Sequence, residues 1–247
     1  VNYTALVGTA CAATLGLALL LTPRGQRGRA ADVLLAGLVG GLGGARLLYV
    51  LLHWSHYAYH PEDILRPGAG GFNWHGAVLG GLLAMSLAAR LRRVDLPMLL
   101  GHVTPGIPLM AMAALAGCMQ AGCAYGREVF AEDAGLWLAW EGVDVYGVLA
   151  PRYATQPLAL ALLAGPLVLG GLLTWRGLAV RWRCWGLLAW LAAVMFAVGF
   201  LRGDPVPRVA GLRADQWLDL LILALSAAAL ATARRRHQPA GPARHTV

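Results

Sequence analysis

Lysine is absent and charge of either sign is scarce: all twenty basic residues are arginine, twelve residues are acidic, and charged residues make up 13% of the chain. A soluble domain needs more charge than this to cover its surface, and with 58% hydrophobic residues it could not hide the remainder. The formal excess of +8 does not imply nucleic acid, because the arginines fall in short clusters between apolar runs and form no basic stripe. Their restriction to arginine reads as codon bias. Cysteine is sparse too. Cys11, Cys118, Cys123 and Cys184 lie in or at the ends of apolar runs, which argues against a secreted disulfide framework, and no histidine stands at zinc-ligand spacing beside them. Most of the four are expected to be packing residues, and on a continuous helix the step from Cys118 to Cys123 would turn the two thiols roughly 140° apart, which argues against a shared metal. No metal and no cofactor are expected. No basic segment precedes the first apolar run, so a cleaved leader is not expected either.

Long apolar runs dominate what is present. Stretches near the length needed to cross a hydrocarbon core lie at about 3–21, 32–53, 75–91, 96–121, 156–175, 185–201 and 214–233. They lack the alternation of barrel strands, and backbone polar groups in lipid must be satisfied internally, so each is expected to be a helix. The fold class that follows is an all-α integral membrane protein with seven transmembrane helices.

Loop charge sets the orientation. Arg24, Arg27 and Arg29, then Arg90, Arg92 and Arg93, then Arg176, Arg181 and Arg183, and finally Arg234, Arg235, Arg236 and Arg244 occupy alternate loops and the tail. By the positive-inside rule these are cytoplasmic, giving an outside N-terminus and an inside C-terminus. The other loops hold Glu62, Asp63, Glu128, Glu132, Asp133, Glu141, Asp144 and Asp204, with six arginines against thirteen on the inner side. Trp54, Tyr57, Tyr59 and Trp74 near one face and Trp175, Trp182 and Trp185 near the other read as interfacial anchors. The outer loops at about 54–74 and 122–155 are long enough for a small extracytoplasmic cap. One transmembrane domain over 1–233 and a basic, disordered cytoplasmic tail over 234–247 are expected.

Ionisable residues at membrane depth are costly and therefore candidates for function. Arg46 falls well inside the second run behind Gly43 and Gly44, as a buried salt-bridge or capping residue or as an anion site for a lipid phosphate. A glycine-rich run, Gly70-Gly71-Phe72-Asn73-Trp74-His75-Gly76, delivers a histidine to the start of the third. That imidazole is a polar anchor or a base able to take a proton from a thiol, and a helix N-terminus there offers N–H groups to an anion. The run from Gly117 through Cys118, Gly122, Cys123 and Tyr125 to Arg127 ends the fourth. It reads as a glycine-stopped helix terminus with an arginine on its last carbonyls, or as part of a site.

Together these blocks resemble the prolipoprotein diacylglyceryl transferase family. The resemblance rests on Gly44-Ala45-Arg46 with Tyr49; Gly70-Gly71 with His75-Gly76 and Leu79-Gly80; Pro105 and Pro108 leading to Gly117-Cys118 and Gly122-Cys123-Ala124-Tyr125-Gly126-Arg127; Arg152-Tyr153 with Thr155-Gln156; and Phe200-Leu201-Arg202-Gly203-Asp204 followed by Gln216. It covers nearly the whole chain. It implies a seven-span enzyme of the bacterial cytoplasmic membrane that moves the diacylglyceryl group of phosphatidylglycerol to the lipobox cysteine thiol of a prolipoprotein, releasing glycerol phosphate. Phosphatidylglycerol, the prolipoprotein segment and membrane lipids are the implied partners. His75, Arg127 and Arg202 become catalytic candidates, with Tyr3, Arg46, Tyr49, Gly76, Gly122 and Gln156 as substrate-binding candidates. A thiol must lose its proton to attack, which suits His75, and a departing phosphate needs fixed cations, which suits arginine.

The chain departs from the family pattern where that pattern places further polar groups. Leu115 and Cys118 stand for an arginine and an asparagine, and Met195 and Gly199 stand for an arginine and a glutamate, which leaves Arg202 alone in its stretch. Two readings stay open: a transferase weakened by lost arginines, or a non-catalytic relative serving as a lipid-binding or assembly subunit of a membrane complex.

Overall fold

The computed structural model describes residues 3–66, 71–130, 132, 138–176 and 183–237. Val1, Gly70, Asp133, Arg181, Trp182, Arg244 and the tail over 238–247 lie outside them. The chain is mostly helical: α1 (Tyr3–Leu21), α2 (Arg27–Leu52), the single turn α3 (Trp54–Tyr57), α4 (Trp74–Arg92), α5 (Leu96–Val103), α6 (Gly106–Ala121), α7 (Thr155–Trp175), α8 (Arg183–Gly199) and α9 (Ala214–His237). Two antiparallel hairpins, β1 (Ala139–Val143) with β2 (Leu149–Tyr153) and β3 (Arg208–Val209) with β4 (Leu212–Arg213), make the fold other than purely α. Both hairpins fall between apolar runs, where backbone groups need partners of their own.

Five helices are long and apolar enough to cross a membrane, and α5 with α6 makes a sixth if that pair, bent by 45°, counts as one span. Seven runs were expected; α8, at 17 residues, is the one below the length of the others. The run at 96–121 breaks where Pro105 removes an N–H and its ring opposes the preceding turn. Thr104 Oγ1 turns back onto the Leu100 carbonyl at 2.9 Å. α1 closes on the bend: a Cβ on Gly106 would lie 2.2 Å from Thr14 Oγ1. The expected tail begins inside α9, which continues to His237.

α2 and α4 touch backbone to backbone. A side chain on Gly44 would put Cβ 2.4 Å from the Gly76 carbonyl oxygen, one on Gly76 2.2 Å from that of Gly44, and one on Gly80 2.3 Å from that of Gly40. Small residues four apart on both helices produce this seam, which lets dispersion and close dipoles act where lipid gives helices no hydrophobic reason to associate. The seam also fixes where α4 begins, and hence where His75 stands. Elsewhere, Ala18 of α1, Val33 and Leu34 of α2, Met85 of α4, Cys184 and Leu188 of α8 and Ile222 of α9 form one buried apolar cluster. Arg27 closes the end of α1 by donating to the carbonyls of Leu20 and Thr22 at 3.0 and 3.1 Å.

Cys118 and Cys123 are joined in a disulfide. The expectation of two diverging packing residues assumed a helix running through both. Instead α6 stops at Ala121, Gly122 takes a left-handed conformation (φ 66°), and the Cys123 N–H returns to the Cys118 carbonyl at 3.1 Å. The reversal folds one thiol back over the other. Cys184 is a buried packing residue as expected, and the Cys11 thiol packs on Met110 Sδ at 3.7 Å.

Candidate active site

Asn73 precedes α4 in an extended conformation and caps it, its Oδ1 accepting the N–H groups of His75 and Gly76 at 2.9 and 3.3 Å. The α4 N-terminus is thus closed by its own cap, where the sequence suggested N–H groups open to an anion. The Asn73 N–H in turn donates to the Ala45 carbonyl on α2 at 3.0 Å. The His75 ring stacks beside Trp74 at 4.0 Å between centroids and is buried, at 1% exposure. Its Nδ1 lies 3.0 Å from Asn73 Oδ1, and its Nε2 lies 2.8 Å from Oδ1 of Asp219 on α9.

Arg202 is not alone. It follows α8 and forms a two-point pair with Asp204, with Nε 2.8 Å from Oδ1, and a second contact to Asp215 at 3.2 Å. Arg213 completes the square: it reaches Asp204 at 3.2 Å and Asp215 at 3.0 Å, and donates to the Asp204 carbonyl at 2.9 Å. Buried pairs of this kind hold together because every charge is met and hydrogen-bonded. Burial works against the Arg202 charge, yet Asp204, and after it Asp215 and Asp219, hold the guanidinium above its ordinary range. For Asp204 too, burial opposes ionisation, and the charge and hydrogen bonds of Arg202, with Arg213, outweigh it and hold the carboxyl below its usual range. Asp215 and Asp219 stand one turn apart on α9, and Asp219 lies within electrostatic reach of Arg202, so the His75–Asp219 pair and the arginine cluster are electrostatic neighbours. Gln216 locks the start of that helix, accepting the Arg213 N–H at 3.0 Å and donating to the Phe196 carbonyl at 3.0 Å. Gly199 leaves it room, since a Cβ there would meet the Gln216 side chain at 2.9 Å.

A second buried arginine cluster stands between α6 and α7. Arg152 on β2 pairs with Asp144 at 3.0 Å and Glu128 at 3.1 Å and lies over the Tyr125 ring at 5.1 Å. With Tyr125, Trp140 and Gln156 it lines a cavity of about 120 Å³. Burial pushes the Tyr125 phenol up, and the charges of Asp204 and Asp144 add to this while Arg152 opposes it. Backbone bridges tie the clusters together: Glu128 pairs with Arg152 and Gly126 with Arg202.

The other expected residues divide. Arg46 donates to the carbonyls of Asp63, Ile64 and Gly71 at 2.6, 3.1 and 3.0 Å and lies 5.4 Å from the Tyr57 ring, so it holds the backbone at Asp63–Ile64 and at Gly71, the capping role. Tyr49 stacks on His53 at 4.1 Å and lies within electrostatic reach of both Arg46 and Asp204. Gly71, at φ 84°, fits between Arg46 and Tyr49. Arg127 is exposed, with its guanidinium 5.0 Å from the Tyr153 ring and its N–H on the Leu201 carbonyl at 2.9 Å. Gly76 belongs to the helix seam, and Gly122 to the α6 stop. Gln156 is buried and donates to the Cys123 carbonyl at 2.9 Å, while Tyr3 packs its ring on Gly117. Thus His75 and Arg202 come within electrostatic reach of each other, and Arg46 and Arg127 engage neighbouring loops.

Sequence reasoning quoted Asn73 and Arg152 without giving them a role, and it passed over Arg213, Asp215 and Asp219. A signal existed for Asp219: it is an acid inside an apolar run, the criterion that singled out Arg46. Leu115 and Met195 belong to one apolar cluster with Ala159, Leu163, Leu191, Val194 and Val198, so the positions expected to carry arginines are packed as core.

The family model described as prolipoprotein diacylglyceryl transferase matches residues 2–232. The chain is 29% identical to phosphatidylglycerol–prolipoprotein diacylglyceryl transferase 2 of Clostridium perfringens over 215 residues, 83% of this chain and 81% of that protein. It is 43% identical to the phosphatidylglycerol–prolipoprotein diacylglyceryl transferase of Trichormus variabilis over 72 residues, 29% of this chain and 26% of that one. With the Neisseria gonorrhoeae protein of the same description it shares 32% over 151 residues, 53% and 52% of the two chains. A match that takes in the helix bearing His75, the loops bearing Arg152 and the turn bearing Arg202 makes this multi-pass membrane protein a member of the prolipoprotein diacylglyceryl transferase family.

Proposed function

We propose that this chain transfers the diacylglyceryl group of phosphatidylglycerol to the lipobox cysteine thiol of prolipoproteins, with His75 on the proton path and Arg202 and Arg127 toward the phosphate. The observation that carries the reading is the buried His75–Asp219 pair set within electrostatic reach of Arg202 and its partner Asp215. In the reaction the thiol proton passes to the His75 side, sulfur bonds to the glyceryl carbon, and the carbon–oxygen bond to phosphate breaks, releasing glycerol phosphate. Fixed cations near the departing oxygen lower the barrier because their dipoles and charges are already oriented. Tyr3, Arg46, Tyr49, Gly76, Gly122 and Gln156 shape the surroundings in which the lipid and the peptide are held.

The same reading takes the chain as seven spans in the bacterial cytoplasmic membrane, N-terminus outside and C-terminus inside. Support comes from the alternation of arginine-rich loops and from α8, whose 17 residues reach about 25 Å at 1.5 Å per residue. The cap then faces outward, where lipoprotein precursors arrive. Labelling of single cysteines at Asp63 and Pro205 from outside, and at Arg92 from inside, is expected, and the reverse pattern would break the map.

One observation favours a lipid-binding relative without turnover: the apolar packing of Leu115 and Met195 where arginines were expected. Purified protein incubated with phosphatidylglycerol and a lipobox peptide separates the readings. Mass spectrometry should find the diacylglyceryl thioether, and His75→Gln should remove it. Phospholipid retained without any product would favour the binding role.

A further inference from the structure

We propose that Asp219 is a positioning residue for His75, and that the two side chains enter the transfer reaction as one unit sharing a single proton. The proposal rests on the transferase reading above. His75 and Asp219 are 1% and 2% exposed, with Nε2 and Oδ1 2.8 Å apart. On the other side of the ring, Nδ1 lies 3.0 Å from Asn73 Oδ1. That Asn73 atom is an oxygen, because it accepts the backbone N–H groups of His75 and Gly76. Both ring nitrogens therefore face acceptors.

A neutral imidazole carries one N–H and can satisfy one of them; the other contact would set lone pair against lone pair. The Asn73 contact takes the Nδ1 proton. A second proton must then lie between Nε2 and Asp219 Oδ1, carried as imidazolium against carboxylate or as imidazole against carboxylic acid. Either form is neutral as a pair, which suits a site buried among helices in a membrane.

The consequence is chemical. When the thiol ionises, its proton enters the pair, leaving an imidazolium beside a carboxylic acid with one net positive charge, while sulfur keeps the electron pair that attacks the glyceryl carbon. Charged groups reach the pair from three neighbouring elements: Asp215 on α9, Arg213 on β4, and Arg202 with its partner Asp204 after α8. Trp74 covers the ring from α4. Asp215, one turn before Asp219, balances the arginines, so the incoming proton is not met by bare positive charge.

Asp219→Asn keeps the size and one hydrogen bond but cannot carry the shared proton, whereas Asp219→Glu can. With phosphatidylglycerol and a lipobox peptide, Asp219→Asn is expected to lower kcat on the order of 100-fold, the lower range for a positioned base, with little change in the KM for lipid. The acidic limb of the kcat profile should move, and Asp219→Glu should recover much of the loss. Independently of turnover, the ring nitrogens of His75 in ¹⁵N-histidine-labelled protein should show a protonated Nδ1 and an Nε2 signal that changes in Asp219→Asn. A wild-type protein without turnover would remove the transferase reading, and the ring signals would still decide the pairing. Turnover lost in His75→Gln but unchanged in rate and pH profile in Asp219→Asn would overturn the proposal, as would an Nε2 signal indifferent to Asp219.

Discussion

Leu115 on α6 and Met195 on α8 pack against the same apolar cluster. These are the two places where the family pattern carries arginines, and each here helps to fill the apolar space between α6, α7 and α8. Restoring one arginine puts a cation among Ala159, Leu163 and Val194 without a partner. Leu115→Arg should therefore destabilise the protein by about 3–5 kcal/mol, the scale for an uncompensated buried charge, and should not raise turnover. Thermal unfolding in detergent, read beside the peptide-lipidation assay, checks both.

The disulfide gives a second expectation. Cys118 and Cys123 close a short loop around Gly122, and Gln156 and Thr155 at the start of α7 hold the carbonyls of Cys123 and Ala124. Chain-entropy reasoning assigns a loop this short about 2 kcal/mol. Cys118→Ser and Cys123→Ser should each lower stability by about that amount and loosen the segment leading to Arg127, with no gain in the double variant over either single one. Alkylation without reductant should leave both cysteines unlabelled.

The helix seam predicts a steric effect transmitted to the site. In Gly76→Ala the new methyl would meet the Gly44 carbonyl, and backbone is the least yielding neighbour available. α4 must move off α2, taking His75 away from Asp219. A loss of about 1–3 kcal/mol from overpacking is expected, together with a fall in turnover larger than the stability loss explains. Gly8→Ala, where nothing lies within 4 Å of the added atom, is the matched control.

Acid should loosen the Arg202–Asp204–Arg213 cluster in a defined sense. Asp204 is held below its usual range in the folded protein, so its contribution to stability is complete above the unfolded value of about 4 and is lost as pH falls through the lower folded value. Stability should thus be flat in this respect at neutral pH and decline only on acidification below about 4. Asp204→Asn should remove that part of the decline, while costing stability at every higher pH because Arg202 and Arg213 lose a shared partner.

What the sequence revealed follows from the range over which its signals act. Hydrophobic runs report where apolar segments lie, and they located the long helices among the described residues. Composition could not show that Pro105 would bend one of them or that α8 would be short. The spacing of Cys118 and Cys123 misled because it was read on a helix, while Gly122 had already ended it. Arg202 looked solitary although Asp204 stands two residues on, because its second acid, Asp215, and the arginine that shares both acids, Arg213, are brought to it only by the hairpin and the start of α9. His75 was legible as an isolated candidate, but its partner Asp219 comes from the last helix, a pairing that only packing creates.

Arg127 and Arg202 provide the sharpest contrast between function and scaffold. They sit on backbone segments bonded to each other, so both are near the same end of the bundle. Arg202 is buried between Asp204 and Asp215, and Arg202→Ala would leave those carboxylates facing Arg213 alone; a loss of about 3–5 kcal/mol is expected from the broken buried pairs. Arg127 is exposed and rests on the Tyr153 ring, a contact worth about 0.5–1 kcal/mol. Arg127→Ala should therefore fold nearly as well as the parent. If Arg127 meets the lipid phosphate, removing it should still lower turnover on the order of 100-fold, the scale for one donor to a developing anion. Unfolding curves and single-turnover lipidation measured on both variants test this directly: an Arg127→Ala protein that is stable and fully active would leave the exposed arginine no part in phosphate departure.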